Sequence, residues 1–219
     1  MNIEKNVNEV REKIQKIDKK NQPINIIAAT KYVDIEQINS LYQSGIKKMG
    51  ENRVDALLSK KKLIDLPIEW HFIGTLQSRK VKDVINEIDC LHSLDRESLA
   101  KEINKHRKNP LKCFVQVNIS GEETKQGLKP DEVVSFINNL KKFPKIEVIG
   151  LMTMAPHTDN IQKVRSCFQQ LKELQGKLLE EEALCSTCKE LSMGMSNDYL
   201  IAIEEGATYV RLGSILFKD

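Results

Sequence analysis

INIIAAT, residues 24–30, is the stretch on which the fold turns. It is too short for a helix, and its isoleucines favour extended backbone. Its run of apolar residues predicts a strand buried on both faces, as in a parallel sheet covered by helices. Pro23 ends the turn before it, and Lys31 follows it directly.

On the N-terminal side, Ile3, Val7, Val10, Ile14 and Ile17 recur at helical spacing and predict an amphipathic helix within residues 1–20. On the C-terminal side, Asp34 and Gln37 have the spacing of a capping box. The helix they open carries Ile35, Ile38 and Leu41 and stops at Gly45. The same alternation continues to the end of the chain. KKMGEN (47–52), IEWHFIG (68–74), DCLHSL (89–94) and KCFVQVNI (112–119) read as strands, as do EVIGLMT (147–153), ELSMG (190–194) and TYVRLGSIL (208–216). Helical patterns lie between them, including a long one with Ile161, Val164, Phe168, Leu171 and Leu174.

Eight strand-like runs separated by helices predict an α/β fold, a single (β/α)8 TIM-type barrel over residues 1–219. A Rossmann sheet would require GxGxxG after its first strand, and none is present. There is no room for a full helix after strand eight, whereas an extra helix precedes strand one. The N-terminal helix is therefore expected to cover the outer slot that the missing helix leaves.

Composition narrows the partners. Hydrophobic residues make up 40% and charged residues 30% of the chain, and the net charge is +3 from 34 basic and 31 acidic residues. That excess is too small to point to nucleic acid. No apolar run approaches the ~20 residues of a membrane span. The charged N-terminus has no signal-peptide core, so a cytoplasmic location is expected. Five cysteines without framework spacing read as free thiols. The Cys185-Ser-Thr-Cys188 pair lacks the second CxxC, or nearby histidine, of a metal or redox site.

The working face of such a barrel is the C-terminal end of its strands, above all the loops after strands seven and eight. Those loops read SMGMSND and RLGS, rich in the glycine and serine that approach a phosphate closely. Ser196-Asn197 also opens a helix, whose N-terminus favours anions. Two loops of this kind in the expected slots favour a phosphate-bearing ligand over ordinary turn chemistry. Position alone leaves two readings of Lys31: a lysine snorkelling to solvent, or an amine in a partly dry mouth, neutral enough to attack an aldehyde. Arg211, inside the mouth, needs an anion or an acceptor such as a ring nitrogen. Asn52 either contacts the ligand or caps a helix, and His71 either lines the site or is a satisfied core histidine. Glu51 is assigned to pairing with Arg53 or a lysine. His92 and His157 have no partners at ligand spacing, so no metal is assigned.

These segments carry a family resemblance. AATKYV around Lys31, GENRV at Gly50 to Val54, WHFIGTLQSRK at Trp70 to Lys80 and VNISGEETKQG at Val117 to Gly127 belong to it. GLMTMAP at Gly150 to Pro156, SMGMSND at Ser192 to Asp198 and GATYVRLGSILF at Gly206 to Phe217 complete it. Together they resemble the YggS/PROSC family of pyridoxal phosphate homeostasis proteins, related to the N-terminal domain of alanine racemase. The resemblance implies pyridoxal 5'-phosphate as a covalent aldimine on Lys31. It implies Ser192, Ser196, Gly213 and Ser214 around the phosphate, Arg211 facing the pyridine nitrogen, and Asn52 and His71 lining the pocket. Thr75, Arg79, Asn197 and Ser214 depart from the family's usual residues without removing a cofactor contact.

Two function classes follow. One is a carrier that keeps the reactive aldehyde available within the cell, with no catalytic residues, as a monomer serving pyridoxal phosphate-dependent apo-enzymes. The other is an amino-acid racemase, which needs an acid or base on each face of the α-carbon. With Asp219 following the eighth strand closely, the β-rich domain that supplies the racemase tyrosine is expected to be lacking, and Tyr32 is expected to point away from Lys31 by strand alternation. Arg211, always protonated, leaves the ring nitrogen unprotonated and the ring a poorer electron sink. Both considerations favour the carrier. A class I aldolase, which would also use a barrel lysine, is the remaining reading.

Overall fold

The computed structural model describes residues 2–17, 22–122, 124–180 and 186–218. Eight parallel strands close into a barrel in sequence order: β1 Asn25–Ala29, β2 Lys48–Glu51, β3 Glu69–Phe72, β4 Cys90–Leu94, β5 Leu111–Gln116, β6 Ile146–Met152, β7 Glu190–Met195 and β8 Tyr209–Leu212. Closure is made at β1, which pairs with β2 through Ile27 opposite Lys48 and with β8 through Ile27 opposite Arg211. The TIM-type barrel read from the sequence is thus the observed fold.

The helices are α1 Ile3–Ile17, α2 Ile35–Gln43, α3 Val54–Leu63, α4 Val81–Val84, α5 Glu97–His106, α6 Val133–Leu140, α7 Ile161–Glu180 and α8 Tyr199–Glu204. The capping box at α2 is present, with the Asp34 carboxylate accepting from the Gln37 amide at 2.8 Å. Helix α1 buries Ile3, Val7, Val10 and Ile14. Asn6 donates to the carbonyls of Leu216 and Lys218 at 3.2 and 2.9 Å, which pins α1 over the end of the chain in the slot expected of it.

Three readings are corrected. The eighth strand stops at Leu212, not Leu216. Gly213 turns the backbone out of extended geometry, and Ser214–Phe217 form a 3-10 turn. The fifth strand ends at Gln116, beyond which Val117 makes a single bridge to Leu128. The first strand is fully buried only at Ile27 and Ala28. Its start, Asn25 and Ile26, is half-buried beside a groove that α1 residues Arg11 and Ile14 also line. Cys185 lies outside the described residues. Cys188 is buried, as are the free thiols of Cys90, Cys113 and Cys167.

Strand alternation sorts the side chains into two cores. Outward residues such as Trp70, Phe72, Leu91, Val115, Leu191 and Leu212 meet the helices in one continuous apolar sleeve. Each large apolar side chain fully buried there contributes roughly 1.5–3 kcal/mol. Inward residues form a small separate cluster of Cys90, Phe114, Ile149 and Met152, with Tyr209 packed against it. No described helix is long and apolar enough to cross a membrane.

Candidate functional site

At the C-terminal ends of the strands lies a cleft of about 900 Å³, lined by Lys31, Ser196, Arg211, Gly213 and Ser214 among others. Residues from β1, β7 and β8 converge there because β1 closes the barrel against β8.

Lys31 sits in a turn just past β1 and is exposed. Of the two readings that position left open, a side chain reaching solvent is the one observed, and it extends from a fixed root. The root is Thr30, fully buried. Its hydroxyl donates to the Glu51 carboxylate at 2.6 Å. Lys60, reaching up from α3, donates to the same carboxylate oxygen at 2.6 Å and also to the Thr30 carbonyl. Glu51 is thereby paired with a lysine, as read from the sequence, and Arg53 pairs with Asp55 instead. Tyr32 shares the turn, 89% exposed, with Lys31 Nζ 5.0 Å from its ring centre. Strand alternation does not separate the two, because neither residue is in a strand.

The loops after β7 and β8 are locked to each other. Ser196 Oγ accepts from the amides of Gly213 and Ile215 at 3.1 and 3.4 Å. Gly194 makes this possible. It has φ +93°, and a Cβ there would lie 2.6 Å from that of Ala202 in α8. Asp198 accepts from the Met195 amide and lines the same cleft. Its carboxyl is pushed up by burial, and hydrogen bonding to Met195 and the charge of Arg211 oppose that shift.

Arg211 is only 5% exposed, yet it reaches the cleft. Its guanidinium donates to Ser192 Oγ at 2.6 Å and to the Thr153 carbonyl at 3.0 Å. Burial brings its pKa down to about 10, with Asp198 opposing, so it stays protonated at neutral pH.

Three residues expected at the ligand stand elsewhere. Ser192 is fully buried, and its hydroxyl is committed to Arg211 and to His92 Nδ1 at 2.8 Å. It faces the barrel interior below the cleft, because β7 alternation turns it inward. His71 is also inside the barrel, bonded through Nε2 to Glu69 at 3.0 Å and through Nδ1 to His92 at 2.9 Å. Asn52 is exposed just past β2, outside the cleft lining. It caps nothing: the residue before α3 is Arg53, with no side-chain cap. Asn52 lies against Gly74, where a Cβ would come within 2.4 Å of its carbonyl.

His92 was the residue missed. Sequence spacing gave it no partners, whereas the barrel brings donor atoms of His71, Cys90 and His92 within 4.8 Å of one another. A signal was present: Trp70-His71-Phe72 and Leu91-His92-Ser93 alternate so that adjacent strands each turn one histidine inward. Burial pushes both histidines down, His92 well below 6.5 with His71 and Arg211 adding to the shift, so both rings are neutral at pH 7. The hydrogen bond from His71, with Lys48 behind it, holds Glu69 down at about 2 against desolvation. Burial pushes the Cys90 thiol well above 9.0.

Comparison with known proteins agrees with this architecture. Residues 2–219 match the family model "Alanine racemase, N-terminal domain". The pyridoxal phosphate homeostasis protein of Aquifex aeolicus is 43% identical over 89% of this chain and 86% of its own. That of Haemophilus influenzae is 35% identical over 99% and 95%. Among solved structures, PipY of Synechococcus elongatus PCC7942, with PLP bound, superposes with a TM-score of 0.86 at 29% identity, covering 99% of this chain and 100% of that one. An alanine racemase of Clostridium difficile 630 superposes at 0.76 with 16% identity, 98% of this chain covering 57% of it, a likeness of fold alone.

Proposed function

Because the chain belongs to the alanine racemase N-terminal domain family, and within it to the pyridoxal phosphate homeostasis proteins, we propose that it holds pyridoxal 5'-phosphate as a Schiff base on Lys31 and serves as a carrier rather than a catalyst. One observation carries this reading. Lys31, the Ser196–Gly213 junction and Arg211 line a single cleft at the C-terminal end of the barrel.

The residues fit the group. The amides of Gly213 and Ile215 already converge on one oxygen, the Ser196 hydroxyl, which gathers neutral donors where an anion can be received. Ser214 adds a hydroxyl on the same lining. Arg211 remains a donor at neutral pH and suits an unprotonated ring nitrogen. When bound, the cofactor supplies an aldehyde that captures amines reversibly. Lys31 acts as tether, and its exposure on a fixed root suits release as well as capture. Asn52, His71 and Ser192 do not line the cleft, so they enter the proposal as supports at most.

Custody of the cofactor in the cytoplasm, as a monomer that passes it to dependent apo-enzymes, completes the reading. Arg211 favours it over a racemase, since a ring nitrogen kept unprotonated stabilises an α-carbanion poorly. The purified protein is expected to absorb as a Schiff base, borohydride to fix the cofactor to Lys31, and Lys31→Ala to abolish both signals. A colourless protein after incubation with pyridoxal phosphate, or label on another lysine, overturns the cofactor assignment. Exchange of an amino acid's α-proton with solvent at enzyme-like rates overturns the carrier role.

A further inference from the structure

The barrel interior holds five side chains in one unbroken line. Arg211 is joined to Ser192 at 2.6 Å, Ser192 to His92 at 2.8 Å, His92 to His71 at 2.9 Å and His71 to Glu69 at 3.0 Å. Lys48 closes the far end on the other Glu69 oxygen. The line runs from the cleft down to the opposite end of the barrel, where Lys48 lines a second groove.

The direction of every hydrogen bond in it is fixed by its two ends. Arg211 can only donate and Glu69 can only accept, so Ser192 Oγ accepts from Arg211 and, with both rings neutral, turns its single proton toward His92 Nδ1. His92 Nδ1 is then bare, and a neutral ring must carry its proton on Nε2. That proton goes to His71 Nδ1, which must also be bare. His71 in turn donates from Nε2 to Glu69, which can only accept. Donors and acceptors therefore alternate from the cation to the carboxylate with none left over.

We propose that Glu69, His71 and His92 are positioning residues that set the Ser192 hydroxyl, and through it the orientation of the Arg211 guanidinium toward the bound ring. This rests on, and deepens, the cofactor reading above. It accounts for a serine and a histidine of the family motifs that the structure keeps out of the cleft. It also gives a reason for two histidines in a barrel interior beside the apolar Phe114, Ile149 and Met152. The competing use of the cluster is a metal site made by His71, Cys90 and His92. All four ring nitrogens already have protein partners, and the two that face each other are at hydrogen-bond distance, which favours the chain.

Histidine 15N NMR of the cofactor-free full chain tests this directly. Both His71 and His92 are expected to carry their proton on Nε2, with Nδ1 bare. In Glu69→Gln the terminal acceptor loses its charge but keeps its shape, and the tautomers of both rings are expected to redistribute. Pyridoxal phosphate binding to that variant, followed by absorbance, is expected to weaken by about tenfold, the worth of one hydrogen bond to a charged group. A merely structural Glu69 would leave tautomers and binding as in the wild type, and that result overturns the proposal. So does a wild-type His92 protonated on Nδ1, or zinc that binds one to one and shifts the ring nitrogens of both histidines as ligands. Failure of wild type to bind pyridoxal phosphate overturns the cofactor reading instead, and is seen in the spectrum independently of the tautomers.

Discussion

Trp70, His71 and Phe72 are consecutive, yet they belong to regions that obey different rules. Trp70 and Phe72 point out into the sleeve between strands and helices, where almost every contact is apolar. His71 points in, to a lining that carries His92, Gln116, Ser192 and Arg211, all buried. The sleeve is non-directional and holds the barrel together by area removed from water. The lining is directional: its polar groups must be paired, so each constrains its neighbour's proton. Stability is thus concentrated outside the barrel and orientation of the site inside it.

The strongest way to break this division is Phe72→Ala, which empties a fully packed position in the sleeve. It is expected to cost about 3–5 kcal/mol of stability in urea denaturation. Pyridoxal phosphate affinity of the remaining folded protein should be close to wild type, and a large loss of affinity at small cost in stability would erase the distinction. Next is Lys60→Met, which strands the buried Glu51 carboxylate, one oxygen of which already lacks a partner among the described residues. A loss of about 3 kcal/mol is expected, with much of it recovered when Glu51→Gln is added, in a double-mutant cycle.

Acid sharpens the comparison. His71 and His92 have pKa values lowered in the folded state, so below 6.5 the unfolded chain binds protons that the native one does not. Stability therefore falls as pH falls below 6.5, more steeply on account of His92, whose shift is the larger, than of His71, whose shift Glu69 opposes. Glu69 adds nothing at first, because its depressed pKa withdraws stability only as pH drops below 4.5. Chemical denaturation at pH 6.5 and 5.5 in His92→Phe, compared with wild type, should show a clearly shallower loss of stability. The smallest effect is expected of Asn6→Ala, which gives up the two bonds that pin α1 to the chain end, about 1 kcal/mol by thermal unfolding.

Much of the fold was legible because hydrophobic period is a local property. INIIAAT, the alternation around His71 and the SMGMSND and GATYVRLGSILF loops could be placed on strands and loops from residue type alone. Strand ends were less legible. Gly213 ends β8 through its backbone angles, which a β-rich sequence through Leu216 does not reveal. Of the residues expected at the ligand, Lys31, Ser196, Arg211, Gly213 and Ser214 meet in the cleft. Ser192 and His71 share the motifs of that group, but inward alternation carries them below it.

The sequence by itself determined the eight strands, the (β/α)8 order, the family and the lysine that follows the first strand, since each is written in short-range pattern or in motif. Only the tertiary structure decided what surrounds those residues. Whether Lys31 is dry or exposed, and that Glu51 and Lys60 hold its root, depend on where α3 packs. That His71 and His92, 21 positions apart, face each other at 2.9 Å depends on strand register. Burial and hydrogen-bond partnership are properties of pairs brought together by closure of the barrel, and no single segment carries them.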